Sequence, residues 1–349
     1  MNAALLRPAS EIEPYRLAPS EAARRRLARR LGHDDGFDEL LAVSALYGVS
    51  PKLLSELYDY WRHDFRLEQQ PLFALPGFRI VSGSEALRFW QVRSLRAAAL
   101  PLLMLHGFSA SLAEFAHLAS DVGEWFHVVC PALDDIGGNC AVAAERCAEL
   151  MRELGYERYM VHGSDSGAAV ALELSALAGA AVAGVHVTGL RAYPSEAGGE
   201  QAALLSREKS QLAAISELYE RLQTELPQTP LEALAFALSQ LDEPSHDSQR
   251  LPTPCRDALL TGLSLSWSND DATLRAARYR ERCLAASPAV HAPIFVDEFP
   301  LAPPSLRRLA EARHRVTEWR EHERGGSSPA LEQPRLLLES LRRFAARLG

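Results

Sequence analysis

Residues Tyr159 to Gly167 constrain the fold of this 349-residue chain more than any other stretch. Tyr159-Met160-Val161-His162 has strand character and runs straight into Gly163-Ser164-Asp165-Ser166-Gly167, after which Ala168 to Leu177 reads as a small-residue helix. Small residues at both ends are what a tight strand-to-helix elbow needs, because the turn leaves no room beside it and pushes the central side chain out over the sheet edge. The helix N-terminus behind that side chain favours negative charge there. The central residue is Asp165, with Ser164 and Ser166 on either side. A carboxylate in that place can attack a carbon centre and form an ester. The alternative is an ordinary βα turn whose aspartate caps the helix.

The elbow sits in an alternating pattern. Leu102-Leu103-Met104-Leu105, Phe126-His127-Val128-Val129-Cys130, Val185-His186-Val187-Thr188, Ile294-Phe295-Val296 and Val316-Thr317-Glu318-Trp319 are short apolar runs, and Asn139 to Leu154 is a helix between two of them. Strands and helices in alternation, with strands apolar throughout, predict an α/β fold with a mostly parallel central sheet covered on both faces. Before Pro101, Ser20 to Leu31 and Pro51 to Phe65 read as amphipathic helices, and Phe78-Arg79-Ile80-Val81 with Leu87 to Val92 as a strand pair around Ser82-Gly83-Ser84. After Leu190 the alternation stops; Ser206 to Gln223, Leu231 to Leu241 and Asp271 to Leu284 read as helices of an insertion, most simply a lid. Leu331 to Leu348 reads as a closing helix. The expected division is an arm over 1–95, a core over 96–190 and 289–349, and a helical lid over 191–288.

Composition narrows the function classes. The formal charge of −8 gives no footprint for nucleic acid. No run of about 18 apolar residues is present to span a membrane, and the N-terminus lacks the pattern of a secretory signal. The five cysteines, Cys130, Cys140, Cys147, Cys255 and Cys283, form no C-x-x-C pair and read as reduced, mostly buried thiols of a cytoplasmic protein. Lys52 and Lys209 are the only lysines among 37 basic residues, which points to a GC-rich bacterial coding sequence. No metal or organic cofactor is implied by any motif. Oligomeric state stays open, a homodimer included.

A second motif supports the first. His106-Gly107-Phe108-Ser109-Ala110-Ser111 follows a core strand roughly 60 residues before the elbow. In α/β-hydrolases such a loop gives one backbone N–H to an oxyanion hole and the residue after the nucleophile gives the other, here Phe108 and Ser166. Around these motifs the chain resembles the microsomal-type epoxide hydrolases, which carry an N-terminal extension on an α/β-hydrolase domain. The matching stretches are Tyr60 to Phe65 and Val92-Arg93-Ser94 in the arm, and Pro101 to Gly107, Phe126 to Val129 and Leu154 to Tyr159 in the core. Gln223-Thr224 and Pro227-Gln228-Thr229 match in the insertion, and Glu323 to Gly326 and Glu332-Gln333-Pro334 near the end.

The resemblance implies a mechanism and an arm that wraps the hydrolase domain. An aspartate at the Asp165 position attacks an epoxide carbon, two lid tyrosines protonate the ring oxygen, and a histidine oriented by an acid activates water to hydrolyse the ester. Tyr219 and Tyr279 match the two tyrosines.

The same resemblance shows where the chain departs. The family's histidine follows the R-G-G of the last loop; here Arg324-Gly325-Gly326 is followed by Ser327, and the fixed spacing to Glu332-Gln333-Pro334 leaves no room to shift. A serine hydroxyl does not take up a proton near neutral pH. The family's acid follows an F-P pair, but Phe299-Pro300 is followed by Leu301-Ala302-Pro303-Pro304, so Ala302 stands in the acid region and Asp297 or Glu298 would serve only across a shorter loop. Ser166 replaces a usual tryptophan, Ser109 a usual proline, and the loop from Leu133 to Asn139 lacks a G-Y-G pattern; its Asp134 and Asp135 read as a solvated turn. His322, His162, His291 and His314 are the histidines that would have to supply a relocated base, with His322 first and a strand or surface role the alternative for each.

Three functions fit this sequence. One is an epoxide hydrolase with a relocated base. The second, favoured because the losses fall on the water-activating half while Asp165, Tyr219 and Tyr279 remain, opens, cyclises or isomerises a small organic substrate, such as a natural product, without that base. The third is a ligand-binding or partner protein that kept the fold and lost catalysis.

Overall fold

The computed structural model describes residues 11–32, 36–82, 85–107, 111–136, 139–190, 192, 194, 204–224, 227–241, 252–268, 288–300, 302 and 304–348, with 85 and 217–224 described as backbone alone. Within them, nine strands form one sheet in the order β1-β2-β3-β5-β4-β6-β7-β8-β9. These are β1 Glu11–Pro14, β2 Gly77–Ser82, β3 Glu85–Val92, β4 Leu100–Leu105, β5 Phe126–Pro131, β6 Tyr159–Ser164, β7 Val182–Thr188, β8 Ile294–Glu298 and β9 Val316–Glu321. Pairing is antiparallel from β1 to β5 through β2 and β3, and parallel from β5 onward. The central strands β6 and β7 are buried at every residue, which is why their sequences are apolar runs instead of alternating ones. The short edge strand β1 carries two glutamates and a proline and gives no apolar signal; the sequence reading missed it.

Successive strand residues face opposite sides of the sheet. Leu103, Leu105, Val129, Val161, Val185, Val187 and Val296 pack on one side against helices α5 (Cys140–Glu153) and α6 (Ser166–Ala178). Leu102, Met104, Val128, Cys130, Met160 and Phe295 pack on the other, against Phe115 and against Leu337, Leu341 and Phe344. Those last three residues belong to the final helix. It is not the single Leu331 to Leu348 helix expected: Pro329–Glu332 and Pro334–Leu348 are separate helices. Pro334 lacks an N–H and bars the helical conformation at Gln333, so the chain starts again with proline in its first turn. Cys130, Cys140, Cys147 and Cys255 are buried free thiols, as expected, and Cys283 lies outside the described residues.

A third cluster lies off the sheet. Helices α1 (Glu21–Leu31), α2 (Gly36–Tyr47) and α3 (Pro51–Asp59) pack their apolar faces on α8 (Pro230–Ser239) and α9 (Thr253–Trp267). Ser20 and Ser50 cap α1 and α3, and Thr229 caps α8, each accepting a first-turn N–H. Trp61 Nε1 donates to Ser264 Oγ at 2.9 Å, and Arg30 and Arg26 donate to the carbonyls of Trp267 and Ser268 at the end of α9. The helical part of the N-terminal segment therefore docks on the insertion after β7. Helices α2 and α9 were not in the sequence reading, and the expected helix over Asp271 to Leu284 lies outside the described residues. The remaining helices are α4 (Ala119–Gly123), α7 (Ser206–Thr224), α10 (Arg307–Arg313), α11 (Pro329–Glu332) and α12 (Pro334–Leu348). No helix among the described residues is long and apolar enough to cross a membrane.

Candidate active site

Asp165 sits between β6 and α6 with φ 48° and ψ −119°, and it is the one non-glycine residue with positive φ among the described residues. Its side chain makes no capping hydrogen bond to α6, which sets aside the plain helix-cap reading. Strain of this kind costs about 1–3 kcal/mol and persists only where surrounding structure imposes it. Here the imposing groups are glycines. A Cβ on Gly163 would lie 2.5 Å from the Gly167 carbonyl oxygen, and one on Gly167 would lie 2.2 Å from the Leu105 carbonyl oxygen. A Cβ on Gly107 would come within 2.9 Å of Asp165 Cβ and 3.1 Å of its Oδ2, so the end of β4 lies directly against the Asp165 carboxylate.

The loop after β4 is fixed from two sides. The ring of His106 donates from Nδ1 to the Gly107 carbonyl at 2.8 Å, while its Nε2 accepts from Leu133 N at 3.1 Å. Gly107 N donates to Glu114 Oε2 at 3.2 Å, and Ser164 Oγ donates to Glu114 Oε1 at 3.0 Å. Glu114 is almost wholly buried, and burial, aided by the negative charges of Asp165 and Glu332, pushes its carboxyl up to about 8 against the pull of those two hydrogen bonds. Sequence reasoning missed this residue. Its only signal is a lone acid inside the apolar stretch Leu112 to Leu118.

Ser166 opens α6 and is buried; Phe108, the other expected oxyanion donor, lies outside the described residues. Tyr279 also lies outside them, and of Tyr219 only the backbone, within α7, is described.

The last loop reaches the insertion. Ser327 N donates to the Gln240 carbonyl at the end of α8 at 3.1 Å, and Ser327 Oγ is buried without a hydrogen-bond partner. Glu332 clamps the loop by accepting from Gly326 N at 2.9 Å and Ser328 N at 3.2 Å. Ala302, in the expected acid region, bonds through its backbone N to the Phe299 carbonyl at 3.2 Å.

The acid and histidine that do meet are different ones. Asp297, inside β8, accepts from His322 Nε2 at 2.9 Å and from His186 Nε2 at 3.0 Å. Burial would raise its carboxyl, but the donors on both sides, with Ser340, hold it far below the usual carboxylate range, so it is an anion. His322 follows β9, stacks on Phe299 at 4.6 Å, and is nearly buried, so it is not a surface histidine. Asp297 makes this pair from within the strand. The row continues inward, with His186 Nδ1 3.0 Å from His162 Nδ1. Burial and the neighbouring His186 keep His162 neutral, so its Nδ1–H donates to His186 and its unpartnered Nε2 is the bare acceptor. His314 is also buried, with both ring nitrogens unpartnered.

In the loop after β5, Asp135 is not a solvated turn residue. Asp135 accepts from Arg88 N, Nε and a terminal guanidinium nitrogen, and ties that loop to β3. A cavity of about 1020 Å³ bounded by Leu100, Trp125, Phe126 and Arg342 opens at the opposite ends of β4 and β5 and does not touch Asp165.

Comparison with known proteins agrees with this architecture. Residues 12–115 match the family model described as "Epoxide hydrolase N terminus". The chain is 29% identical to a "Putative epoxide hydrolase" of Stigmatella aurantiaca, over 95% of this chain and 84% of that protein. It is 28% identical to Epoxide hydrolase 1 of Oryctolagus cuniculus over 40% of this chain, a stretch that spans 36% of that longer relative. The fold is that of the juvenile hormone epoxide hydrolase of Bombyx mori, with a TM-score of 0.76 at 19% identity, covering 97% of this chain and 95% of that one. Aspergillus niger epoxide hydrolase superposes with a TM-score of 0.73 at 21% identity, covering 97% of both chains. The chain thus has an α/β-hydrolase sheet with a strained elbow, preceded by a segment that matches the epoxide hydrolase N-terminal family model, and over most of its length it is similar to a putative epoxide hydrolase.

Proposed function

We propose that this protein opens epoxides with Asp165 and completes the reaction without the water-activating histidine of its relatives. The observation that carries the reading is the elbow: a strained Asp165 pressed against Gly107, with its side chain withheld from capping α6. A carboxylate held there by backbone geometry attacks an epoxide carbon; its lone pair forms the new C–O bond, and the electrons of the broken ring bond go to the ring oxygen. The phenols of Tyr219 and Tyr279, on the insertion that serves as a lid, deliver the proton to that oxygen. Without water activation, the productive outcome is internal. A hydroxyl of the same small organic substrate displaces Asp165 from the esterified carbon, the carbon–carboxylate bond breaking as the cyclic ether forms and the hydroxyl proton passing to the freed carboxylate and back to the phenols, or loss of a neighbouring C–H proton to the departing carboxylate forms a C=C bond and leaves an unsaturated alcohol isomeric with the epoxide.

Ser327 supports this reading, since its hydroxyl does not take up a proton near neutral pH and its buried Oγ has no hydrogen-bond partner to relay one. A specific observation favours the hydrolytic alternative as well, namely the hydrogen bond between His322 and Asp297. Its position argues against it. The sheet order puts β9 three strand spacings from β6, about 14 Å, and His322 turns its Nε2 to a carboxylate already shared with His186. The test is product analysis of a panel of hydroxy-epoxides: cyclic ethers or isomers lost in Asp165→Asn support the proposal, diols lost in His322→Ala support the alternative, and binding without conversion means a non-catalytic protein.

A further inference from the structure

Two groups flank Asp165 at the elbow, and Glu114 holds both. Gly107 lies against the Asp165 carboxylate, Ser164 precedes Asp165 in the chain, and both hydrogen-bond the same buried carboxyl. We propose that Glu114 is the positioning residue for Asp165, fixing the β4 loop and the end of β6 on either side of it from a carboxyl kept out of water. This rests on the reading of Asp165 as the reacting carboxylate.

A carboxyl is a costly choice for that task. Glutamine would accept from Gly107 N–H and donate to Ser164 Oγ with the same shape and without titrating. The titratable groups that face Glu114 are Asp165 from the elbow, Glu332 from α11 and Cys130 from β5, and the two carboxylates repel a third charge. The carboxyl therefore stays protonated through neutral pH. The Ser164 hydroxyl donates or accepts as required, so the clamp holds in both states, and what changes on ionisation is charge. Below about 8, Glu114 is neutral. Above it, a second negative charge beside the elbow repels the Asp165 carboxylate from its attacking position, and epoxide opening slows.

Two measurements test this on the whole chain. The first is carboxyl carbon NMR with labelled glutamate, the Glu114 resonance being the one absent from Glu114→Gln. A midpoint near 8 that moves down in Asp165→Asn is expected; a midpoint in the ordinary glutamate range, or one indifferent to Asp165→Asn, overturns the proposal. The second is the rate of Asp165 esterification by styrene oxide, read by intact mass across neutral and alkaline pH. Glu114→Ala should slow it about tenfold or more, as small misplacements of a reacting group do, and Glu114→Gln should recover most of that loss and abolish the alkaline fall. An alkaline fall that persists in Glu114→Gln, or an unslowed Glu114→Ala, contradicts the proposal. If no variant is esterified, the reading of Asp165 fails while the NMR titration still decides the role of Glu114.

Discussion

His322 donates from Nε2 to Asp297 Oδ1 across 2.9 Å, joining the residue that follows β9 to an anion inside β8. The same carboxylate receives His186 and is reached by Ser340 from α12, so one buried charge ties two strands, a loop and a helix together. Asp297→Ala would strand two imidazole donors, and breaking a buried pair in this way costs about 3–5 kcal/mol. Urea unfolding should show that loss at pH 7. Because the folded Asp297 sits below its ordinary value, its contribution is present above the normal carboxylate range and is lost as pH falls through the folded value. The mutational difference should therefore shrink in strong acid.

The glycine contacts separate activity from stability. Gly107→Ala places a methyl 3.1 Å from Asp165 Oδ2 and should cut epoxide opening by about a hundredfold, with a small change in melting temperature. Gly167→Ala drives its methyl to 2.2 Å from a backbone oxygen and should destabilise the fold itself. Parallel rate and melting measurements on the two variants check the contrast.

Ser327→His installs the side chain that the family resemblance leads one to expect after Arg324-Gly325-Gly326. It should add diol to the product mixture, or speed the release of esterified Asp165, since an imidazole accepts the proton that the hydroxyl cannot. The gain should be partial, because Ala302 provides no acid to orient the ring. Single-turnover kinetics of the esterified protein measure it; an unchanged release rate would mean that the loop does not face the ester.

His314 is buried, and burial with the neighbouring Arg313 pushes it down from 6.5 to about 4. The unfolded chain then binds this proton more readily, so stability falls as pH drops from 6.5 towards 4. His314→Leu should be more stable than the parent at pH 5 by about 2 kcal/mol, with the advantage fading by pH 8. Unfolding curves at the two pH values check the sign.

What could be read from the sequence follows from the range of the interactions. The elbow was legible because Gly163, Asp165 and Gly167 are local, and tight turns demand small residues in a fixed spacing. The parallel strands were legible as apolar runs; β1 was not, since a four-residue charged edge has no period to detect. Pro334 marked a helix break that an uninterrupted apolar period concealed. Glu114, Asp135 and Asp297 acquire meaning only through Gly107, Arg88 and His322, partners that the sheet supplies and spacing does not. Trp61 was placed on a helix from its period, while its bond to Ser264 required the insertion to fold back on the arm.

Intact-protein mass after exposure to a panel of reactive epoxides in oxygen-18 water, with Asp165→Asn alongside, tests the role of Asp165 most directly. A lasting adduct mapped to Asp165, absent from Asp165→Asn and yielding little labelled diol, is the predicted result. Labelled diol formed at full rate with no adduct, or an adduct that survives in Asp165→Asn, would contradict it.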